Sequence, residues 1–270
     1  MHIQIGEARI PSLGFGTYQI TGEACKSAVA DALAIGYRHI DTAQMYGNEE
    51  AVGSSIKASG IPREDLFITT KIWYTDLQKN QVLQTTAESL RKLQTDYVDL
   101  LLIHWPARDI PLEETLDAMM QLQEHRKTRY IGVSNFTVPL LQEAVNIAPI
   151  VCNQVEHHPY LDQTPVLDFV RAHPMFLTSY CPVAKGRVME DETLKEIGQK
   201  YDKTPVQIAL RWLIQLDKVA AIPKASKHDH RVQNFDIFDF VLTEEEMRSI
   251  SKLQGDNRII DPSWAPQWDR

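Results

Sequence analysis

Cysteine is scarce. Cys25, Cys152 and Cys181 are the only three in 270 residues, and no two of them approach CxxC spacing. That excludes a disulfide framework and a cysteine-based zinc motif, and all three read as reduced, small core residues of an intracellular protein. No apolar run approaches the roughly 20 residues of a membrane span. The opening MHIQIGEARI has no charged stretch followed by an apolar one, so no secretion signal is expected. Long basic runs are also missing and the formal charge is −8, which makes nucleic acid and anionic membrane poor partners. An acidic chain can still hold a local cationic pocket for a phosphate. Internal repeats, low-complexity segments and linkers are absent, so a single domain over residues 1–270 is expected.

What is present is an ordinary globular balance, 43% hydrophobic and 24% charged. A chain of this length buries roughly 70–75% of its unfolded surface and needs no staples. HIQIGEARIPSLGFG alternates apolar residues around Gly6-Glu7, which predicts a small N-terminal β-hairpin. Two patterns then take turns. LGFGT, HIDTA, LFITTKI, VDLLLIHW, YIGVSNF, IVCNQVE, FLTSYCP and VAAIPKAS are short apolar runs. Between them lie segments of helical spacing such as EACKSAVADALAIG, NEEAVGSSIKASG, QVLQTTAESLRKLQ and TPVQIALRWLIQL. Several open on Thr or Asn and close near Gly, as capped helices do. Such alternation, with strands nearly all apolar, predicts an α/β fold with a parallel sheet covered by helices. Eight repeats favour closure into a (β/α)8 TIM barrel. The competing open, doubly wound sheet lacks its glycine-rich fingerprint after the first strand. The tail GDNRIIDPSWAPQWDR does not read as a helix and is expected to lie over the active-site face, with Trp264 or Trp268 covering an opening.

Polar residues recur at the C-terminal ends of the apolar runs: Asp41, Lys71, His104, Ser134, Asn135, Gln154, Tyr180 and Lys224. In a barrel these ends gather at one face, where active sites form. Any one of them has an ordinary structural reading, but an acid, a lysine and a histidine at three successive strand ends imply pairing, since a buried lone charge is costly. A phenol, Tyr46, follows Asp41 closely. Asp41 can hold the Lys71 ammonium, and an ammonium beside a phenol favours its ionised form. Tyr46 is therefore expected to be acidified and to donate a proton near neutrality. His104 would orient a carbonyl oxygen. No serine or cysteine nucleophile has a base at local spacing, so acyl transfer is disfavoured. Tyr18, Trp73, Trp105 and Trp264 are candidate walls of a pocket for a small, partly apolar carbonyl compound, or else packing of the barrel rim. The adjacent histidines of EHHPY would point to opposite faces of a strand, and His228 and His230 of KHDHR have no third partner, so no metal is expected.

The segments GFGTY, HIDTAQMYGNEE, ITTKIW, LLIHWP, GVSNF, NQVEHHPY, SYCPVAKG, IPKAS and NFDIFDF resemble the aldo-keto reductase family from end to end, in order and spacing. The resemblance implies that Asp41, Tyr46, Lys71 and His104 form a catalytic tetrad with Tyr46 as general acid. It implies that Ser134, Asn135 and Gln154 bind a nicotinamide carboxamide and that Tyr180 stacks on the ring. Lys224, Ser226, His230 and Arg231 would surround the 2′-phosphate of NADP, and Asn234 would reach the adenine. The chemistry implied is reversible hydride transfer between NADPH and an aldehyde or ketone, in a cytoplasmic monomer. A non-catalytic barrel and a reductase of carbon–carbon double bonds are the alternatives. The intact tetrad argues against the first, and His104, which specialised relatives replace with a carboxylate, against the second.

The chain departs from the family pattern where relatives often carry Ser, Arg and Glu and it has Ala225, His230 and Gln233. Arginine is a permanent forked cation and histidine is mostly neutral at neutral pH. Discrimination for NADP(H) over NAD(H) is expected to be weaker than the family norm, with Lys224, Lys227 and Arg231 compensating in part. The short segment after SYCPVAKG implies little enclosure of the cofactor. The small bacterial diketogluconate reductase branch is the nearest lead to a substrate.

Overall fold

The structure, a computed structural model, describes residues 1–269. Its strands are β1 (His2–Ile5), β2 (Ala8–Pro11), β3 (Phe15–Gly16), β4 (His39–Asp41), β5 (Phe67–Ile72), β6 (Val98–Ile103), β7 (Thr128–Ser134), β8 (Ile150–Glu156), β9 (Phe176–Tyr180) and β10 (Val219–Ala221). β1 and β2 pair antiparallel, as the alternation around Gly6 predicts. β3 to β10 form an eight-stranded sheet in chain order, and every pairing in it is parallel. The two edges of that sheet meet: Gly14 N donates to Ala221 O at 2.8 Å, Ala221 N to Ser12 O at 2.9 Å and Gly16 N to Pro223 O at 3.1 Å. Each of the eight apolar runs supplies one strand.

The helices are α1 (Gly22–Ile35), α2 (Glu49–Ser59), α3 (Lys79–Leu93), α4 (Leu112–Glu124), α5 (Val138–Ile147), α6 (Thr164–Ala172), α7 (Glu192–Tyr201), α8 (Pro205–Gln215), α9 (His228–Phe235) and α10 (Glu244–Ser251). α8 starts as its sequence predicts, with a reciprocal Thr204–Gln207 capping box and Pro205 in the first turn. α2 does not: Asn48 makes no side-chain cap. Its Nδ2 instead donates to Thr17 O and Ile20 O at 2.9 and 2.8 Å, tying the loop after β3 to the end of β4. α9 and α10 are short and were not singled out in the sequence; α9 is weakly periodic, whereas α10 opens on a Thr243–Glu246 capping box.

Two buried clusters divide the sheet residues by parity. Ile68, Ile72, Leu101, Ile103 and Leu177 face the helices. Phe67, Leu100, Leu102, Cys152 and Phe176 face the interior, where Ile5, Ala8 and Ile10 of the hairpin join them and plug the N-terminal end. A strand has a side-chain period of two, so Lys71 shares the interior face with Phe67, as Gln154 does with Cys152 and Tyr180 with Phe176. The apolar interior thus ends, at the opposite mouth, in a layer of polar side chains.

The interior is close-packed at Gly132. A Cβ there would lie 2.7 Å from the Cys152 carbonyl oxygen and 2.8 Å from Leu102 Cδ2. Gly132→Ala is predicted to destabilise the protein by about 1–3 kcal/mol through overpacking. That outweighs the ~0.4–1 kcal/mol that a Gly→Ala change gains from the unfolded chain. The urea midpoint checks this, and an unchanged or raised midpoint would contradict it.

Candidate active site

Asp41 closes β4 and Lys71 stands on the interior face of β5, 1% and 0% exposed. Lys71 Nζ reaches Asp41 Oδ1 at 2.6 Å, Thr42 O at 2.8 Å and Tyr46 Oη at 3.5 Å. An ammonium has three donors, so two are bound closely and the third is directed at the phenol. The other carboxylate oxygen, Asp41 Oδ2, accepts from Gln154 Nε2 at 2.8 Å. This accounting lets two full charges sit where water cannot reach them. Tyr46 is aimed inward by the 3-10 turn Gln44–Tyr46, which Gly47 ends at φ 63°.

His104 immediately follows β6. Its ring makes edge contacts with Tyr46 (5.7 Å between centroids) and Trp73 (5.1 Å). Its Nδ1 is buried without a partner among the described residues. Burial, reinforced by the nearby Lys71 charge, holds the imidazole well below its usual range, so it is neutral.

The expected acidification of Tyr46 is not found. Burial, then the Asp41 carboxylate, then Tyr180 and Tyr18 hold the phenol well above its ordinary value. The main reason is burial, since an anion here would lose its water; the Asp41 carboxylate, 2.6 Å from the ammonium, adds to it by offsetting that cation's field at the phenol. Burial also lowers Lys71 against the pull of Asp41. Tyr46 is therefore a neutral phenol whose proton is held until a base appears beside it.

Around this group stand the other strand-end residues. Ser134 Oγ donates to Gln154 O at 2.8 Å. Asn135, in the left-handed region at φ 63°, donates through Nδ2 to His104 O at 2.9 Å. Tyr180 Oη donates to Asn135 Oδ1 at 2.8 Å. Farther out, Lys224 is exposed and has Ser226 Oγ at 3.3 Å. His230 is exposed as well. Arg231 departs from expectation. It is 5% exposed, with Nε on Asp31 Oδ2 at 2.6 Å and Nη1 on Ala225 O and Ser226 O at 3.0 Å each. It braces the 225–226 backbone and is not an available cation. Asn234 is buried on α9.

The aromatic candidates divide. Tyr18 lies 5.0 Å from the Tyr46 ring and is 46% exposed. Trp73 borders His104. Trp105 is buried and meets Trp268 edge-on at 6.0 Å. Trp264 stacks on Tyr74 at 5.9 Å, a partner the sequence did not suggest. Glu156 and Arg258, at the same mouth, were also not singled out. Glu156 carries the same signal as Asp41, an acid closing an apolar strand. Arg258 carries none, because it belongs to no periodic element. The groups present suit a nicotinamide nucleotide. Gln154 keeps its side-chain oxygen free of Asp41, and Lys224 and Lys227 form no ion pair among the described residues. The oxidised or reduced ring, when bound, would supply the hydride chemistry.

A sequence model of the Aldo/keto reductase family matches residues 12–254. The chain is similar to the methylglyoxal reductase DkgB of Salmonella typhi, 40% identical over 266 residues, covering 96% of this chain and 99% of that protein. It is similar to the glyoxal reductase of Bacillus subtilis (strain 168), 41% identical over 253 residues, covering 93% and 91%. Among solved structures, a putative 2,5-diketo-D-gluconic acid reductase B superposes with a TM-score of 0.98 at 46% identity, covering 100% of this chain and 97% of that one.

Ultraviolet difference titration of the wild type against Tyr46→Phe is expected to show no phenolate at residue 46 below pH ~10, the ordinary tyrosine value. A phenolate appearing near neutrality would mean that Lys71 acidifies it after all.

Proposed function

This chain belongs to the aldo/keto reductase family and is an oxidoreductase acting on carbonyl compounds; from that premise we propose that it reduces small aldehydes and ketones to alcohols with NADPH, using Tyr46 as proton donor. The observation that carries this reading is the buried Lys71–Asp41 pair with Lys71 Nζ 3.5 Å from the Tyr46 hydroxyl. Small dicarbonyls and keto sugars are the favoured substrates, in keeping with the methylglyoxal and glyoxal reductases among the relatives.

The chain's own residues then act as follows. The substrate oxygen accepts hydrogen bonds from Tyr46 and from neutral His104. As negative charge grows on that oxygen it becomes the base that the phenol lacks, and Tyr46 releases its proton. Lys71, fixed by Asp41 and Thr42, stabilises the phenolate left behind; Gln154 keeps Asp41 oriented. Acidity is thus supplied at the moment of reaction and not stored in the resting site. Trp73, Tyr18, Trp105 and Trp264 limit the substrate in size. In the same reading Ser134, Asn135 and the Gln154 oxygen hold the carboxamide, and Tyr180 carries the ring. Lys224, Ser226, Lys227 and His230 meet the 2′-phosphate, with Asn234 at the adenine and Arg231 bracing the loop. The chain would work as a single barrel domain and cytoplasmic monomer, its tail over the mouth.

Tyr46→Phe is predicted to lower kcat for methylglyoxal with NADPH by ~10²–10⁴, the usual contribution of a positioned acid. Cofactor affinity, read by fluorescence quenching, should be unchanged. Full turnover by this variant would reject the mechanism. Because Arg231 is committed to Asp31, NADPH is predicted to be preferred but NADH usable. A kcat/KM ratio of ~10⁴, equivalent to roughly 5 kcal/mol, would contradict that.

A further inference from the structure

The segment that follows α10 reaches the barrel mouth at Arg258, and the fold holds it there. Ile259 N and Ile260 N each donate at 2.7 Å to one oxygen of the Glu156 carboxylate. Glu156 is fully buried, and His158 Nε2 holds its Oε1 at 2.9 Å. It is also the register partner of Tyr180 at the end of the sheet. The clamp therefore seats Arg258 close to Tyr180, and burial and the Glu156, Tyr180, Asp261 and Asp256 groups act on its guanidinium. On its other side the guanidinium lies 3.7 Å from the centroid of Trp268. Trp268 is fixed in turn by a 2.8 Å hydrogen bond to Asp261 Oδ1 and by its edge contact with Trp105, the neighbour of His104.

Arg258 is thus placed between the end of β9 and the wall beside His104, yet it has no polar partner. Its Nη1 is buried and unsatisfied, and none of its five donors makes a hydrogen bond or ion pair among the described residues. Two nearby acids are already engaged, Glu156 by three donors and Asp261 by Trp268. A half-buried guanidinium held by a backbone clamp and an aromatic face, with its fork unused, is suited to receive a planar anion.

We propose that Arg258 is a specificity-determining residue that receives a carboxylate of the carbonyl substrate, so that oxo acids are preferred to neutral carbonyl compounds of the same shape. This rests on the carbonyl-reductase reading above and narrows its substrate class. Guanidinium and carboxylate match as forks and can form two parallel hydrogen bonds. A neutral substrate gains nothing from the site and leaves the cation unpaired.

The test uses two aldehydes of matched shape and differing charge, 4-formylbenzoate and its methyl ester, with NADPH and full-length protein. The wild type should show a higher kcat/KM for the acid. Arg258→Met should lower kcat/KM for the acid by about 10- to 100-fold, the range for a hydrogen bond to a charged group. It should leave the ester within about 3-fold, which also reports that the variant is folded. Arg258→Lys should recover part of the loss on the acid, with the charge kept and the fork removed. Equal losses on both aldehydes, or no preference for the acid in the wild type, would overturn the proposal. So would an effect confined to the NADPH dissociation constant, which would assign Arg258 to a cofactor phosphate. A wild type that reduces neither aldehyde, nor methylglyoxal, would sink the carbonyl-reductase reading together with this one.

Discussion

Inside the barrel an ammonium and a carboxylate sit 2.6 Å apart with almost no contact with water. Removing either partner would strand the other, at a cost of about 3–5 kcal/mol. The surrounding structure is arranged to prevent that. β4 and β5 are adjacent and parallel, with Asp41 in register with Thr69, so Lys71 stands on the same interior face one step further towards the mouth and its ammonium reaches the carboxylate. The Thr42 carbonyl and the Gln154 amide complete the donor and acceptor set. Tyr46 then has one place to go, over the remaining face of the ammonium. Burial first, and then the carboxylate of this pair, keep the phenol from being acidified. A neutralised cation orients a hydroxyl well but exerts little net field on it.

The two ends of the barrel are unequal for a simple reason. The hairpin fills the N-terminal end with Ile5, Ala8 and Ile10 against Leu100, Leu102 and Phe176, leaving no room for polar groups there. The other end has no such plug. The tail is attached near it through polar contacts: Glu156 to two tail amides, Arg108 to Ala265 O at 3.1 Å, and Asp269 to Val138 N at 2.9 Å. An apolar plug closes one end of the core, and a hydrogen-bonded strap borders the site at the other.

Charge is also allocated unevenly around α9. Asp31 gathers both His228 and Arg231, joining α1 to α9, and leaves Lys224 and Lys227 as the cations without an acidic partner among the described residues. Arg231 is thereby committed to joining the two helices.

Much of this was legible in the sequence. The eight apolar runs, the hairpin around Gly6 and the polar residues closing Asp41, Lys71, His104, Ser134 and Gln154 follow from strand periodicity and the cost of burying charge. Both are local properties of a chain. α10 was missed although its Thr243–Glu246 capping box stands in the sequence, but α9 was not legible, because a short, weakly periodic helix takes its stability from tertiary contacts and not from its own pattern. Nor were the states of particular groups. Whether Tyr46 is acidified depends on how deeply the fold buries it and on Asp41 lying beside Lys71, 30 positions away. Whether Arg231 is available depends on Asp31, 200 positions away. Arg258 gains its place from Glu156, about a hundred positions earlier in the chain. Sequence determines which side chains can ionise and which face they share; only the folded distances decide which charge is already satisfied, because electrostatic interactions in a dry interior turn on a few ångströms that no local pattern records.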